Sequence, residues 1–357
     1  MELKNIELIN FRNYKYQKIE FINGINLFVG NNAQGKTNII ESIYISAFGK
    51  SYRTVKDNEI INFESEFSKI NLEYSKDDIN NKINYSIDRL NRKNILKNDV
   101  KVRKLSDHVG DIPIVLFSPD SLDIVKGAPA KRREFINMIA SQLSKNYLIA
   151  LQEYNKCLKI KNSCLKKDFV DREYLKILND KMSTYIEKIV NFRKLIIEKI
   201  LEKAKIIEKN VTNGKEDIFL KYETDFLNMT SQEINDILNK YMEIEIMKKS
   251  SMKGIQRDDV IIYVNNLEVA KYGSQGQNRT ALLSLKLADY EVLKEVKHEN
   301  PILLLDDIMS ELDGQRISYL LKYIENCQSI ITTTDSSFVK EVKNIKISKV
   351  LSGRLEI

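Results

Sequence analysis

The sequence predicts an α/β fold in which a strand-rich lobe is interrupted by an inserted, mainly helical one, and three observations predict it. Residues 2–120 carry short alternating apolar runs separated by Asn, Asp and Gly, which is strand patterning. Residues 121–250 lose that alternation and place apolar side chains three and four apart among Lys and Glu, as in Tyr185, Ile186, Ile189, Val190, Ile196, Ile197 and Ile200. Strands, turns and helices then alternate again over 251–357. The expected division is 1–120 with 251–357 as lobe I, and 121–250 as a helical lobe II with short antiparallel arms.

Taken in order, LKNIELINF, YKYQKIEF and INLFV read as the first three strands, and residues 38–47 as the helix after the third. KINLEYS, KINYSID and IPIVLF complete the strands of the N-terminal part. Two or more long amphipathic helices follow. KEDIFLKYETDF reads as a strand pair, and residues 258–270 as a hairpin turning at Asn265-Asn266. A glycine-rich turn, a helix over 277–297, an apolar strand over 302–305, a helix over 314–326 and a strand over 329–333 close the chain.

Two of these junctions carry chemistry. Gly30-Asn31-Asn32-Ala33-Gln34-Gly35-Lys36-Thr37 has the GxxxxGK[ST] spacing of a phosphate-binding loop, set between a strand and a helix as that loop requires. Backbone N–H groups and the helix N-terminus would cradle a phosphate chain. Lys36 would reach the β- and γ-phosphates, and the Thr37 hydroxyl would sit on Mg2+. The run Ile302-Leu303-Leu304-Leu305 ends in Asp306-Asp307, a Walker B pattern. Asp306 is placed to hold Mg2+, and Asp307 to orient the attacking water as the catalytic carboxylate alongside Lys36. ATP and Mg2+ are thus the expected cofactors.

Composition narrows the class without choosing a function. The 357 residues are 43% hydrophobic and 30% charged, with 57 Lys+Arg against 50 Asp+Glu for a net charge of +7. That mild excess does not by itself support a nucleic-acid partner. Cys157, Cys164 and Cys327 show no CxxC spacing, and His108 and His298 are the two histidines, so neither a disulfide framework nor a multi-histidine metal centre is expected. No apolar run approaches the ~20 residues of a membrane span. The expectation is a cytoplasmic protein with no membrane partner.

A second anion-binding surface, Ser274-Gln275-Gly276-Gln277, stands at the start of the helix carrying Ala281, Leu282 and Leu285. Here the chain resembles the ABC-type ATPases, whose signature loop closes over the nucleotide of a partner subunit. Ser310-Glu311-Leu312-Asp313 resembles their D-loop. Further strings narrow the match: NFRNY at 10–14, GKSYR at 49–53, LFSPD at 116–120, VKGAP at 125–129 and QRDD at 256–259. Together they are similar to the RecF family of bacterial recombination mediators, related to the heads of SMC proteins.

The resemblance implies an ABC-type P-loop ATPase head with the helical lobe inserted. It implies an ATP-dependent homodimer in which residues 30–37 of one copy face Ser274, Gln275, Gly276, Gln277 and Asp313 of another. It further implies binding to single-stranded, double-stranded and gapped DNA, slow DNA-stimulated ATP hydrolysis, and work with RecR, RecO and RecA in repair. From the related heads, Arg12 is expected at the nucleotide and Arg53 at DNA. The adjacent cations Lys131, Arg132 and Arg133 are what backbone phosphate contacts need. Three departures from pattern stand out: no glutamine in 115–120, Thr334-Asp335 where transporters place a histidine, and Ile255 where a proline is expected. An SMC-like DNA-bridging protein and a transporter ATPase subunit are the competing readings.

Overall fold

The computed structural model describes residues 1–325, 327–336 and 344–356. They divide into two compact units, Met1–Ser121 with Asn210–Asn213 and Lys286–Ile357, and Leu122–Lys209 with Gly214–Leu285. The sequence places residues 251–285 with lobe I, whereas here they belong to the second unit. A backbone ladder accounts for the difference, because Asp259–Val264 pairs antiparallel with Ile218–Glu223. The dividing point at 285 falls inside the helix Gln275–Lys297.

The first unit holds two six-stranded sheets. One is ordered Arg354–Glu356, Ile345–Leu351, Ile25–Val29, Ser329–Thr333, Ile302–Asp306, Ile114–Phe117. Its last five strands are parallel, and Arg354–Glu356 pairs antiparallel with Ile345–Leu351. Ile302–Asp306 and Ser329–Thr333 are buried along their whole length, which explains their unbroken apolar or small-residue character. The other sheet is antiparallel, ordered Tyr14–Glu20, Glu2–Phe11, Phe67–Lys76, Ile79–Asp88, Lys93–Lys97, Val100–Lys101. The helix Lys36–Phe48 packs against strands of both sheets, so it is buried on nearly every side and shows little amphipathic patterning.

The second unit is helical around a small sheet. Its helices include Pro129–Leu143, Lys145–Leu165, Arg172–Val211 and Ser231–Lys240. KEDIFLKYETDF supplies one strand, Ile218–Glu223, and not the expected pair. The hairpin of Asp259–Val264 and Leu267–Glu268 turns at Asn265 and Asn266, with φ of 50° and 64° as a two-residue turn between strands requires. Among the described residues no helix is long and apolar enough to cross a membrane.

Candidate nucleotide site

The phosphate-loop sequence folds as its glycines dictate. Gly30 follows the strand Ile25–Val29 and donates its N–H to the Thr333 carbonyl at 3.3 Å. A Cβ there would lie 2.4 Å from the Val350 carbonyl oxygen, so the neighbouring strand admits only glycine. Gly35 has φ 113°, and a Cβ on it would strike the Asn13 side chain. Asn13 Nδ2 donates to the Gln34 carbonyl at 3.0 Å and the Tyr14 hydroxyl to the Gly35 carbonyl at 3.1 Å. From the C-terminal hairpin, Gly353 N–H donates to the Gln34 carbonyl at 3.0 Å. The loop is therefore pinned on two sides. Asn31, Asn32 and Ala33 remain exposed at its tip. The helix Lys36–Phe48 opens without a side-chain cap, leaving its first N–H groups and partial positive charge for an anion.

Lys36 is buried and donates to the carbonyls of Gly30 at 2.6 Å and Asn31 at 2.8 Å. Burial pulls its pKa below the ordinary lysine value, opposed by the charges of Asp307 and Asp306. The parallel register brings the Walker B strand to the same end of the sheet, with Ser329–Thr333 between it and the loop strand. Asp306 is almost fully buried and accepts from three hydroxyls: Thr37 at 2.8 Å, Thr332 at 2.8 Å and Tyr52 at 3.0 Å. Asp307 adopts φ 51°, held there by its N–H on the Thr332 hydroxyl and carbonyl, each at 3.1 Å. Its Oδ1 is buried with no hydrogen-bond partner among the described residues. Burial raises the Asp307 pKa above the usual carboxylate range, and Lys36 moderates that rise. The donor set at Thr37 and Asp306 is hydroxyl and carboxylate oxygen, the hard ligands Mg2+ takes together with substrate phosphates.

The predicted arginines lie beside this centre. Arg12, at φ 53°, places Nη2 and Nε on the two oxygens of Glu41 at 2.6 and 3.0 Å, and Nη1 on the Glu59 carbonyl at 2.8 Å. Arg53 Nη1 reaches Glu41 at 3.1 Å and Asn38 Oδ1 at 2.8 Å. A cavity of about 430 Å³ opens along Arg12, Asn13, Asn38, Asn62 and Phe63, and Phe63 stands almost fully exposed on its lining. Glu41, Tyr52 and Thr332 are members of the constellation that the sequence reading did not select. Glu41 had a signal, since it lies four residues after Thr37 and therefore on the same helix face. Tyr52 lies in the GKSYR string, with no role assigned to it there, and Thr332 had no signal.

Other predicted residues are placed elsewhere. Ser274 and Gln277 form a reciprocal cap, with Ser274 N–H on Gln277 Oε1 at 3.0 Å and Gln277 N–H on Ser274 Oγ at 3.1 Å. Gln275 is exposed beside them, and the Gly276 carbonyl accepts from the Thr280 hydroxyl. Asp313 caps the helix Gly314–Ile324 through the Arg316 N–H at 3.0 Å. The basic cluster is not what its charge implies. Arg132 is buried, bidentate on Asp259 at 2.7 and 2.8 Å, and bonded to the Gly127 carbonyl. Arg133 donates to the Asp258 carbonyl at 2.8 Å. Lys131 alone of the three is exposed. One acid of the QRDD string thus takes up one of the cations expected at DNA, and a backbone carbonyl of the same string holds a second.

The family model described as "RecF/RecN/SMC N terminal domain" matches residues 2–354. The "DNA replication and repair protein RecF" of Clostridium perfringens is 39% identical over 364 residues, covering 100% of both chains. Among solved structures, one described as "recombination mediator protein RecF-ATPrS in RecFOR pathway" has TM-score 0.92 and 34% identity, covering 99% of this chain and 97% of the other. An Smc head bound to the C-winged helix domain of ScpA shares the fold, with TM-score 0.59 and 15% identity over 100% of this chain and 96% of that one. With its P-loop, its Walker B pair and this likeness over its whole length, the chain belongs to the RecF family of SMC-like, ABC-type ATPases.

Proposed function

We propose that this chain is an ATP-driven DNA clamp and recombination mediator, closing as a dimer on ATP and reopening on slow, DNA-stimulated hydrolysis. The observation that carries the reading is the meeting of Thr37, Asp306 and Asp307 at the P-loop, the Oδ1 of Asp307 being buried with no hydrogen-bond partner among the described residues. Lys36 exchanges its two loop carbonyls for the β- and γ-phosphates, a replacement that keeps a buried ammonium hydrogen-bonded. Thr37 and Asp306 would hold Mg2+, which would supply charge neutralisation for the phosphates. Asp307 orients the attacking water and accepts its proton, a role that its raised pKa suits. The purine and ribose take the cavity beside Arg12, where Phe63 offers a face for stacking.

Ser274–Gln277 and Asp313 of a second copy complete the site, since exposed Ser274 and Gln275 lead a helix N-terminus. DNA contacts fall on Arg53 and Lys131, and the partners are RecR, RecO and RecA, a reading drawn from the family resemblance and in keeping with the "RecFOR pathway" of the 34% identical structure. Light scattering with saturating ATP tests the sandwich. Lys36→Ala should lose ATP binding and dimerisation together. Asp307→Ala should bind ATP, lose about 100-fold or more in hydrolysis, and stay dimeric. Ser274→Arg should bind ATP as a monomer. A monomeric Asp307→Ala protein in saturating ATP would sink the reading. Against the transporter alternative, the ATPase rate should rise with gapped duplex DNA and lose that response as salt increases.

A further inference from the structure

Thr332 lies on the strand Ser329–Thr333, between the loop strand and the Walker B strand, in register with Asp306. Side chains at paired positions of neighbouring strands stand on one face of a sheet, so a hydroxyl is set beside the Asp306 carboxylate. That hydroxyl is fully buried and touches both acids of the Walker B pair. It donates to Asp306 Oδ1 at 2.8 Å and accepts from the Asp307 N–H at 3.1 Å. The direction of both bonds is fixed. A backbone N–H only donates, so the hydroxyl must accept there, and its single proton goes to Asp306. The Thr332 carbonyl takes the same N–H at 3.1 Å, so residue 332 grips Asp307 through two atoms. Asp307 needs a grip, because φ 51° is the left-handed region, which a non-glycine residue keeps only where its surroundings over-determine it. The turn there ends the alternation that would send its side chain to the face opposite Asp306. Its carboxylate lies close enough to Lys36 and Asp306 for their charges to act on it. On Asp306, Oδ1 takes Thr37 and Thr332 while Oδ2 takes Tyr52, which leaves a lone-pair position on Oδ2.

We propose that Thr332 is a positioning residue that sets both halves of the hydrolytic machinery with one hydroxyl: as donor it orients Asp306 for Mg2+, and as acceptor it holds Asp307 in the turn from which its carboxylate meets the attacking water. This rests on the ATPase reading above. Hydrogen bonds to a metal-ligating carboxylate fix its orientation and are costly to lose. A valine here would keep the volume and the β-branched shape that suits a strand, yet neither donate nor accept. Asp306 would then turn on Thr37 and Tyr52 alone, and the Asp307 N–H would keep only the carbonyl. The two consequences reach the reaction by different carboxylates. Metal affinity answers to Asp306, and the water step answers to Asp307.

The test takes two readouts on the full chain: ATPγS affinity by equilibrium dialysis in Mg2+ and in EDTA, and kcat for ATP at saturating Mg2+. Thr332→Val should lower the ratio of Mg2+ to EDTA affinities about tenfold, with the affinity in EDTA kept within about twofold. Its kcat should fall about 100-fold, the scale of a misplaced general base. Placed on Asp307→Ala, the same change should lower kcat no further but lower the affinity ratio by the same factor, because Asp306 is still there. Thr332→Ser keeps the hydroxyl and should hold both readouts within about threefold of the unaltered chain. A folded Thr332→Val protein with an unaltered ratio and kcat overturns the inference. A kcat loss that multiplies with that of Asp307→Ala overturns it too. If Thr332→Val does not fold, Thr332→Ser and Thr332→Ala differ by the hydroxyl alone, and equal affinity ratios in the two overturn it. An unaltered chain whose ATPγS affinity ignores Mg2+ removes the underlying reading and this inference together. An unaltered chain that responds, with Thr332→Val responding equally, removes the inference alone.

Discussion

Around Glu41, two guanidiniums share one buried carboxylate and reach solvent; around Asp258, one guanidinium is sealed among acceptors in the second unit. Arg193 and Asp258 are 3% and 2% exposed and meet at 2.6 Å. Arg193 also donates to Asn137 Oδ1 and the Ile255 carbonyl, while the Tyr222 hydroxyl donates to Asp258 Oδ2 at 2.6 Å. Arg132 on Asp259 extends this cluster. Both places use arginine and carboxylate, and neither differs much in bond length. What differs is whether the cation can leave. A cation that can reach water can be claimed by an outside phosphate, whereas one enclosed with its full set of acceptors can only hold elements together.

The largest effect expected follows from that contrast. Arg193→Met leaves the Asp258 carboxylate buried with its arginine gone and should cost ~3–5 kcal/mol of stability. Arg53→Gln removes a cation that is already partly solvated and should cost below about 1 kcal/mol. Urea unfolding of the two variants measures the gap. Equal costs would erase the distinction between a sealed and a poised cluster.

A smaller effect sharpens the same line within three adjacent residues. Lys131→Ala should leave stability nearly unchanged and reduce the slope of log affinity for DNA against log salt by about one, the signature of one lost phosphate contact. Arg132→Gln should do the reverse: ~1–3 kcal/mol of stability lost with the salt slope retained. If Arg132→Gln changed the slope and spared stability, the assignment of this cation to Asp259 would be wrong.

These contrasts also mark what the sequence could and could not convey. Residues 30–37 and Asp306-Asp307 were legible because phosphate-loop chemistry needs fixed residue types at fixed spacing between a strand and a helix. Both hairpin asparagines at 265–266 were legible for the same kind of local reason. Lys131, Arg132 and Arg133 read as one basic run because a linear sequence does not reveal acids 127 positions away, yet Asp259 is what decides Arg132. The C-terminal hairpin of Ile345–Leu351 and Arg354–Glu356 was passed over because its buried positions include a serine, Ser348, so the alternation is weak. Residues 251–285 fall in the second unit, and the strand pairing with Ile218–Glu223 that draws them there is a long-range choice that local pattern does not encode. Ser274 and Gln277 show a further limit: the same residues satisfy a helix cap and a trans-acting signature, and spacing alone does not separate the two uses.

A third buried carboxylate tests what happens when no arginine is supplied. Asp289 is 2% exposed, its Oδ1 has no hydrogen-bond partner among the described residues, and its nearest counter-charge is Lys286, one turn earlier on the helix Gln275–Lys297. Burial pushes its pKa up to about 7, with Lys286 pulling in the opposite direction. An unfolded aspartate titrates near 3.9. The folded state therefore favours the protonated carboxyl, and its stabilising contribution is complete below about pH 4 and is lost as pH rises through about 7. Asn at this position imitates the protonated form at every pH. Thermal melts should show the advantage of Asp289→Asn over the unaltered chain growing by up to ~3 kcal/mol between pH 5 and pH 8. Melting curves that stay parallel across that range would mean that Lys286 compensates the charge as fully as arginine does for Asp258, and that burial, more than the kind of cation, is the wrong basis for telling these clusters apart.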